Sequence, residues 1–580
     1  MAELENKRHT LAHLLVSSIR DLYPGSKNAI GPAIDDGFYQ DFDLGAHKIS
    51  EDDFPKIEAK MRELLPKWTG FEKKEVSKEE ALKEFAWNEY KSELIEEFAG
   101  QGKKITFHNA PGLVDLCKGG HTENPAKEIA SDSFKLDRIA GAYWRGNEKN
   151  KMLTRIYGLA FDTKKELDAY LTQRDEAKKR DHKILGKELD LFTFSDLVGP
   201  GLPLWTPRGT IVRDLLDEFV WELRKPYGYE KVEIPHITKK ELYERSGHWD
   251  KFKDELFRIT TREGHEFAMK PMNCPHHIQI YARRPWSYRE LPQRYSNSTT
   301  CYRDEQSGEL SGLSRVRAFT QDDAHVFCRM SQAKEESLKI WDIVHTFYSA
   351  FGFGLRVRLS LHDPEQPEKY LGDMSTWAAA EGVLREIVTE KNIDWFEGIG
   401  EAAFYGPKLD FMAKDAIGRQ WQVATIQLDM NQPERFDLTC ADEQGGKERI
   451  VMIHGAIMGS IDRFLSILIE HTAGVFPLWL SPMQAAVLPV SDKHLAYAQA
   501  VVDQLRQNGI RVELSANDSL GKRIRNTKLG KIPCFIVVGD KEMEDKSVTV
   551  ENNRSGDKAT VSLTDFIKPT LERIRERANI

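Results

Sequence analysis

Leu11, Leu14, Leu15, Ile19 and Leu22 recur at three- and four-residue spacing and predict an amphipathic helix over residues 5–22. His9 and His13 are four apart and share one face of it. Gly- and Pro-punctuated strand patterns follow in NAIGPAIDDGFYQDFDL, then charged helices near 51–65 and 77–98. TFHNAPGLVDLCKGGHTE and AGAYWRGNEKNKMLTRIYGLAF read as strands and turns that close a first domain at 1–162. The charge-rich segment 163–188 has helical spacing and predicts a solvated connecting helix. An α+β region at 189–480 follows, with helices at 210–226, 332–351 and 459–471 and an alternating strand pair around 294–328. Over 481–580 strand and helix alternate: AAVLPV, IRVEL and CFIVVG surround helices at 492–508 and 519–530. That order predicts a small α/β domain with a mostly parallel sheet.

Composition narrows the class. A 580-residue chain with 40% hydrophobic and 30% charged residues is a multidomain globular protein, not a disordered one. The net charge of -8 leaves any polyanion to local basic patches. GKRIRNTKLGK at 521–531 is one such run, and its simplest reading is a solvated helix face. Six cysteines without paired spacing point to a reducing cytoplasm. The opening MAELENKRHTLAHLL has no apolar signal region, and no run approaches the ~18 apolar residues of a membrane helix. The expected localisation is cytoplasmic, with no membrane partner.

Two stretches carry most of the candidate chemistry. KPMNCPHHIQIY, residues 270–281, crowds Cys274, His276 and His277 together, with prolines that predict a rigid turn around the cysteine. Ligands so close in sequence rarely complete a tetrahedron. CYRDE followed by GLSRVRAFTQDDAHVF reads as an antiparallel strand pair with a flexible Gly/Ser tip. Alternation puts Arg315, Arg317 and Phe319 on one face, with Arg303 and Glu305 on the first run. Forked guanidinium donors suit phosphate and an aromatic ring suits a base. An ordinary salt-bridged strand pair is the competing reading. No Walker A sequence is present, so phosphate would be held by side chains.

These segments resemble motifs 2 and 3 of the class II aminoacyl-tRNA synthetases, with GSIDRFLSILIE (459–470) as the motif 3 helix. The run from KPMNCP through FTQDDAH, AFYGPKLDF and the His454–Arg463 segment is similar to the threonyl-tRNA synthetases, over nearly the whole chain. The resemblance implies an α+β multidomain chain: an α+β editing domain, a class II antiparallel-sheet catalytic core and a C-terminal α/β anticodon-binding domain. It implies that Arg303 holds the ATP α-phosphate, Glu305 reads the adenine amino group and Arg315 holds the γ-phosphate. Phe319 and Arg463 would sandwich the base, with Mg²⁺ on the phosphates. It implies one zinc per subunit on Cys274, His325 and His454, and places Gln321, Asp323, Tyr405 and Gln427 around threonine. The partners implied are tRNA(Thr), threonine, ATP and a second copy of the chain, through the segment leading to EIPHI at 233–237.

An open zinc position selects a hydroxyl, so valine would be rejected by roughly 10⁴-fold. Serine has the same groups and lacks only a methyl, which supplies about 1–3 kcal/mol of discrimination. A second, hydrolytic site is therefore expected. HTLAH (His9, His13) and CKGGH (Cys117, His121) resemble the editing domain shared with alanyl-tRNA synthetases, with Asp115 placed to orient an imidazole. The spacing also suits a second zinc, and that alternative stays open. The sequence departs from the family at Gly455, where arginine is usual, and at Gln40, where an aromatic hydroxyl is usual. In VENNRSG the family often has more arginines, which weakens Asn552, Asn553 and Arg554 as anticodon contacts. The family's common N-terminal ubiquitin-like domain is not in this sequence. Two other functions compete: a regulatory paralogue that does not charge tRNA, and a synthetase for another small amino acid such as proline or serine.

Overall fold

A computed structural model describes residues 2–577; the outermost residues of the first and last expected domains, 1 and 578–580, lie outside them. By contacts the chain divides into Met1–Asp175 and Glu176–Ile580. In the first unit the helix Ala2–Leu22 buries Leu11, Leu14, Leu15 and Ile19 in one core with Phe38, Phe42, Ile57 and Met61. An antiparallel sheet is built on Gly37–Asp43, Met152–Ala160 and Phe134–Tyr143. A second sheet pairs Glu72–Val76, Ile105–Ala110 and Leu113–Leu116. The single helix expected near 77–98 is two, Lys78–Glu84 and Glu89–Gly100. Asn88 divides them, because its side chain caps the second helix by accepting from Tyr90 N and Lys91 N.

The expected solvated connecting helix is also two, Lys164–Lys179 and His182–Glu188. Asp181 caps the second, which buries His182 and Leu185 and is no solvated linker. Leu185 joins the main core and His182 meets Glu470, contacts with distant segments that a charge-rich composition does not reveal.

The second unit is organised by an eight-stranded sheet. Its central strands Gln293–Tyr302, Ala318–Cys328, Val451–Ser460, Gln420–Asp429 and Lys408–Lys414 run antiparallel, each to the next. Helices Pro207–Arg224, Ala333–Ser349 and Ile461–Thr472 bury Leu216, Val344 and Phe464 in its main core. Along the second central strand, alternation separates Asp322, Ala324 and Val326 from Gln321, Asp323 and His325. The last sheet is mixed, not mostly parallel. Val512–Leu514, Ala485–Pro489 and Cys534–Val538 are parallel, and the hairpin Ser547–Asn552/Lys558–Ser562 adds antiparallel strands at one edge.

Candidate active sites

The sheet register assembles the first site. Tyr295 pairs with His325, His325 with His454, and His454 with Gln427, so residues up to 159 apart in sequence form one row across four strands. Cys274 approaches from a separate helix, Cys274–Tyr281. The cysteine therefore opens a helix and does not sit in a rigid turn. Pro275 in the first turn fits because that position has no intrahelical N–H partner to lose. The ligand atoms of Cys274, His325 and His454 all lie within 4.8 Å of one another.

The atoms behind these three orient them. His454 Nε2 faces Asp429 Oδ2 at 3.0 Å, which leaves Nδ1 toward His325 Nε2, 3.0 Å away. His325 Nδ1 faces His277 Nδ1 at 2.8 Å, so its Nε2 points inward. A buried thiol and two imidazoles, each imidazole held from behind, is a donor set that fits zinc. Of the three neighbours in KPMNCPHHIQIY only Cys274 joins the cluster, and His277 supports it from behind. Asp323, buried, has Oδ1 3.8 Å from His325 Nε2 and Oδ2 accepting from Asn273 Nδ2 at 3.1 Å. Gln427 donates to Gly406 O, and Tyr405 is buried with its ring 5.3 Å from that of His454. Gln321 Oε1 accepts from Cys301 Sγ at 3.6 Å.

The expected phosphate-binding arginines flank the same strands. Arg303 stacks between Phe252 and Phe319, 5.5 and 5.3 Å from the ring centroids. Arg315 is half exposed and donates to Glu305 at 2.7 Å and Glu309 at 2.9 Å. Ser460 caps the motif 3 helix by accepting from Arg463 N, and burial lowers the Arg463 pKa. Two expectations change here. The second strand begins at Ala318, so Arg315 and Arg317 precede it and do not share its alternation with Phe319. The tip is packed, because Leu313 is buried and donates its backbone N–H to His182 Nε2 at 3.0 Å.

In the first unit, His9, His13, Cys117 and His121 place four ligand atoms within 4.8 Å of one another. His13 Nε2 lies 3.3 Å from His9 Nε2, and Cys117 Sγ lies 3.5 Å from both His9 Nε2 and His121 Nε2. Asp115, two residues before the cysteine, meets His13 Nδ1 at 3.0 Å and Lys91 Nζ at 2.7 Å. Asn28 Nδ2 donates to the same carboxylate. Burial opposes charge on His13, but hydrogen bonds to Asp115 and Cys117 win and hold its pKa up, at about 9. Burial also opposes the Cys117 thiolate, yet His121, His13 and His9 push its pKa down to about 3. The cluster opens on a cavity of about 470 Å³ whose lining includes Gly31, Gln40, Lys91 and Lys118.

Comparison with known proteins decides the family. The family model for the class II tRNA synthetase core domain (G, H, P, S and T) matches residues 257–472, and the model for the anticodon binding domain matches 484–573. A threonine–tRNA ligase of Flavobacterium johnsoniae is 46% identical over 578 residues, covering 99% of this chain and 88% of the relative. One from Deinococcus radiodurans is 45% identical over 583 residues, covering 98% and 89%. The chain belongs to the threonine–tRNA ligase family. Among solved structures, the RNA binding domain of the Cryptosporidium parvum threonyl-tRNA synthetase superposes with a TM-score of 0.65 at 37% identity. It covers 68% of this chain and 98% of that one. A putative threonyl-tRNA synthetase of Aeropyrum pernix gives 0.61 at 30% identity, covering 68% and 97%.

Three departures from the threonine–tRNA ligase pattern now have surroundings. Gly455 lies against Ile340, whose Cδ1 would be 3.1 Å from an added Cβ. The buried Arg224 reaches the same place from the helix Pro207–Arg224, donating to Gly455 O and Ser296 Oγ at 3.0 Å and pairing with Asp322 at 2.5 Å. Gln40 is buried and lines the first unit's cavity, as the sequence position suggests. Asn552 accepts from the backbone N–H groups of Arg554 and Ser555, Asn553 donates to Ile532 O, and the exposed Arg554 donates to Val475 O. In the basic run, Arg523 is buried on Pro489 O and Ser515 O, so that face is not simply solvated. Sequence reading missed Asp429, Lys91, Asn28 and Arg224. Only Asp429 had a signal, two residues beyond Gln427 on the same strand face.

Proposed function

We propose that this chain activates threonine with ATP, transfers it to tRNA(Thr), and clears mischarged seryl-tRNA in its first domain. The observation that carries the reading is the register row of His325, His454 and Gln427, with Cys274 beside it and Arg303 and Arg315 at the ends of the neighbouring strands. Cys274, His325 and His454 would hold zinc, and the bound ion would act as a Lewis acid that ligates the amino group and hydroxyl of threonine. Asp323 accepts the hydroxyl's hydrogen bond, while Gln321, Tyr405 and Gln427 enclose the amino acid. Arg303, Arg315 and Arg463 with Mg²⁺ neutralise the triphosphate, Phe319 stacks on the base and Glu305 accepts from its amino group.

In the first step a threonine carboxylate oxygen bonds to the α-phosphorus, and the bond to the bridging oxygen breaks to release pyrophosphate. A terminal ribose hydroxyl then attacks the carbonyl carbon, loses its proton, and AMP leaves. The domain limits that suit this reading are 1–162 for editing, 163–188 as connector, 189–480 for catalysis and 481–580 for the anticodon. The active form is a homodimer in the cytoplasm.

ATP–pyrophosphate exchange with threonine, serine, valine and proline tests the proposal. Threonine should lead, serine follow weakly and valine give almost none. Proline-dependent exchange would refute it. Cys274→Ser should lose bound zinc and threonine-dependent exchange together.

For the first domain the editing reading needs no metal: Asp115 orients His13, and the imidazoles of His9 and His121 position a water for ester hydrolysis. A second reading is favoured by the 3.3 and 3.5 Å separations, which match the edges of a tetrahedral zinc site with ligand bonds of about 2.0–2.3 Å. Metal analysis separates them: one zinc per chain supports the first reading, and two the second.

A further inference from the structure

Lys270 is fully buried, yet the described residues give its ammonium no carboxylate within ion-pair distance. Isolated buried charges are costly and rarely present without a task. Its two hydrogen bonds go to Asn273 Oδ1 at 3.0 Å and Thr299 Oγ1 at 2.8 Å. Asn273 is itself fully buried, and its oxygen also accepts from Cys301 Sγ at 3.4 Å. An ammonium has only donors, so the amide must turn its oxygen toward Lys270 and its nitrogen away. That nitrogen donates to Asp323 Oδ2 at 3.1 Å. The other carboxylate oxygen, Oδ1, is left facing the histidine side of the site, 3.8 Å from His325 Nε2.

We propose that Lys270 is a positioning residue for threonine selection: through Asn273 it fixes Asp323 with one oxygen free to receive the substrate hydroxyl. Without the ammonium the amide is free to flip, and a flipped oxygen would face Asp323 Oδ2 and push the carboxylate out of line. The described side-chain hydrogen bonds of the lysine go to Asn273 and Thr299, and none goes to Cys274, His325 or His454. The inference rests on Asp323 as acceptor of the threonine hydroxyl.

Lys270→Met keeps the side chain's length and removes both donor and charge. In threonine-dependent ATP–pyrophosphate exchange it should raise the KM for threonine by roughly ten- to a hundredfold, the range for a hydrogen bond to a charged group. The KM for ATP and the zinc content should stay at parental values, the preference for threonine over valine should shrink, and the thermal midpoint should not fall. Lys270→Gln, which restores a donor toward Asn273, should recover most of the threonine KM. A parental threonine KM in Lys270→Met overturns the inference, as does loss of zinc along with the KM, or a Lys270→Gln no better than Lys270→Met. Asp323→Asn is the separate control: if it leaves the threonine KM and valine rejection unchanged, the reading of Asp323 itself fails.

Discussion

Arg224 and Asp322 form an ion pair with almost no exposure to water, and Asp322 Oδ2 also accepts from Ile457 N and Met458 N. Breaking such a pair strands a buried charge, so Arg224→Leu should cost about 3–5 kcal/mol of stability, measured by thermal or denaturant unfolding. Gly455→Arg in the same chain should restore part of it, because a guanidinium reaching Asp322 from position 455 would serve the same carboxylate. Each residue was invisible as a partner in the sequence: 231 positions separate Arg224 from Gly455. Cys274, His325 and His454 were legible only because a familiar pattern surrounds them, whereas Lys91 and Asn28 lie in ordinary helix and strand patterns that name no partner for either. Their role depends on a carboxylate that folding brings to them, and single side chains without periodicity leave no trace in a one-dimensional pattern.

At the scale of elements, the strand pairing Ala318–Cys328 to Val451–Ser460 shifts register between Asp322 and Ala324. The N–H groups of Ile457 and Met458 find Asp322 instead of the ladder, which leaves His325 opposite His454 below the shift and Gln321 opposite Ser460 above it. One irregularity thus serves both the Cys274, His325 and His454 cluster and the cap of the motif 3 helix. The turn at Ser311–Arg315 is held in a comparable way. His182 Nδ1 meets Glu470 at 2.6 Å while its Nε2 accepts from Leu313 N, and Ser314 Oγ meets Ser466 Oγ at 2.8 Å. Gly312 has φ +51, and any Cβ there would lie 2.2 Å from His182 Nε2. His182→Leu should therefore loosen the turn that carries Arg315 and raise the KM for ATP several-fold. The KM for threonine and the zinc content should change little, as read by exchange kinetics and metal analysis. Helices at 5–22, 210–226, 332–351 and 459–471 were readable to within a few residues, because long apolar stripes survive into the fold. The breaks at Asn88 and Asp181 were not, since a capping side chain acts locally against a helical pattern that continues past it.

At the scale of the molecule, each contact unit holds its own cluster of histidine and cysteine: His9, His13, Cys117 and His121 in one, Cys274, His325 and His454 in the other. Changing one should leave the other's chemistry standing. His9→Ala with His13→Ala should keep threonine-dependent exchange and tRNA charging while seryl-tRNA accumulates, as followed by charging with labelled serine. Seryl-tRNA at the parental level would remove the first unit from editing. No described helix is long and apolar enough to cross a membrane, in keeping with the absence of an apolar run in the sequence. By itself the sequence determined the long helices, the family through motifs spread over nearly the whole chain, and the residue types that carry chemistry. Those are properties of local composition and spacing. Only the tertiary structure decided that Asp429 and His277 stand behind the two histidines, that Arg224 stands beside Gly455, and that Lys270 is buried behind Asp323. Strand register and side-chain burial come from packing among distant segments, and neither is a function of neighbouring letters.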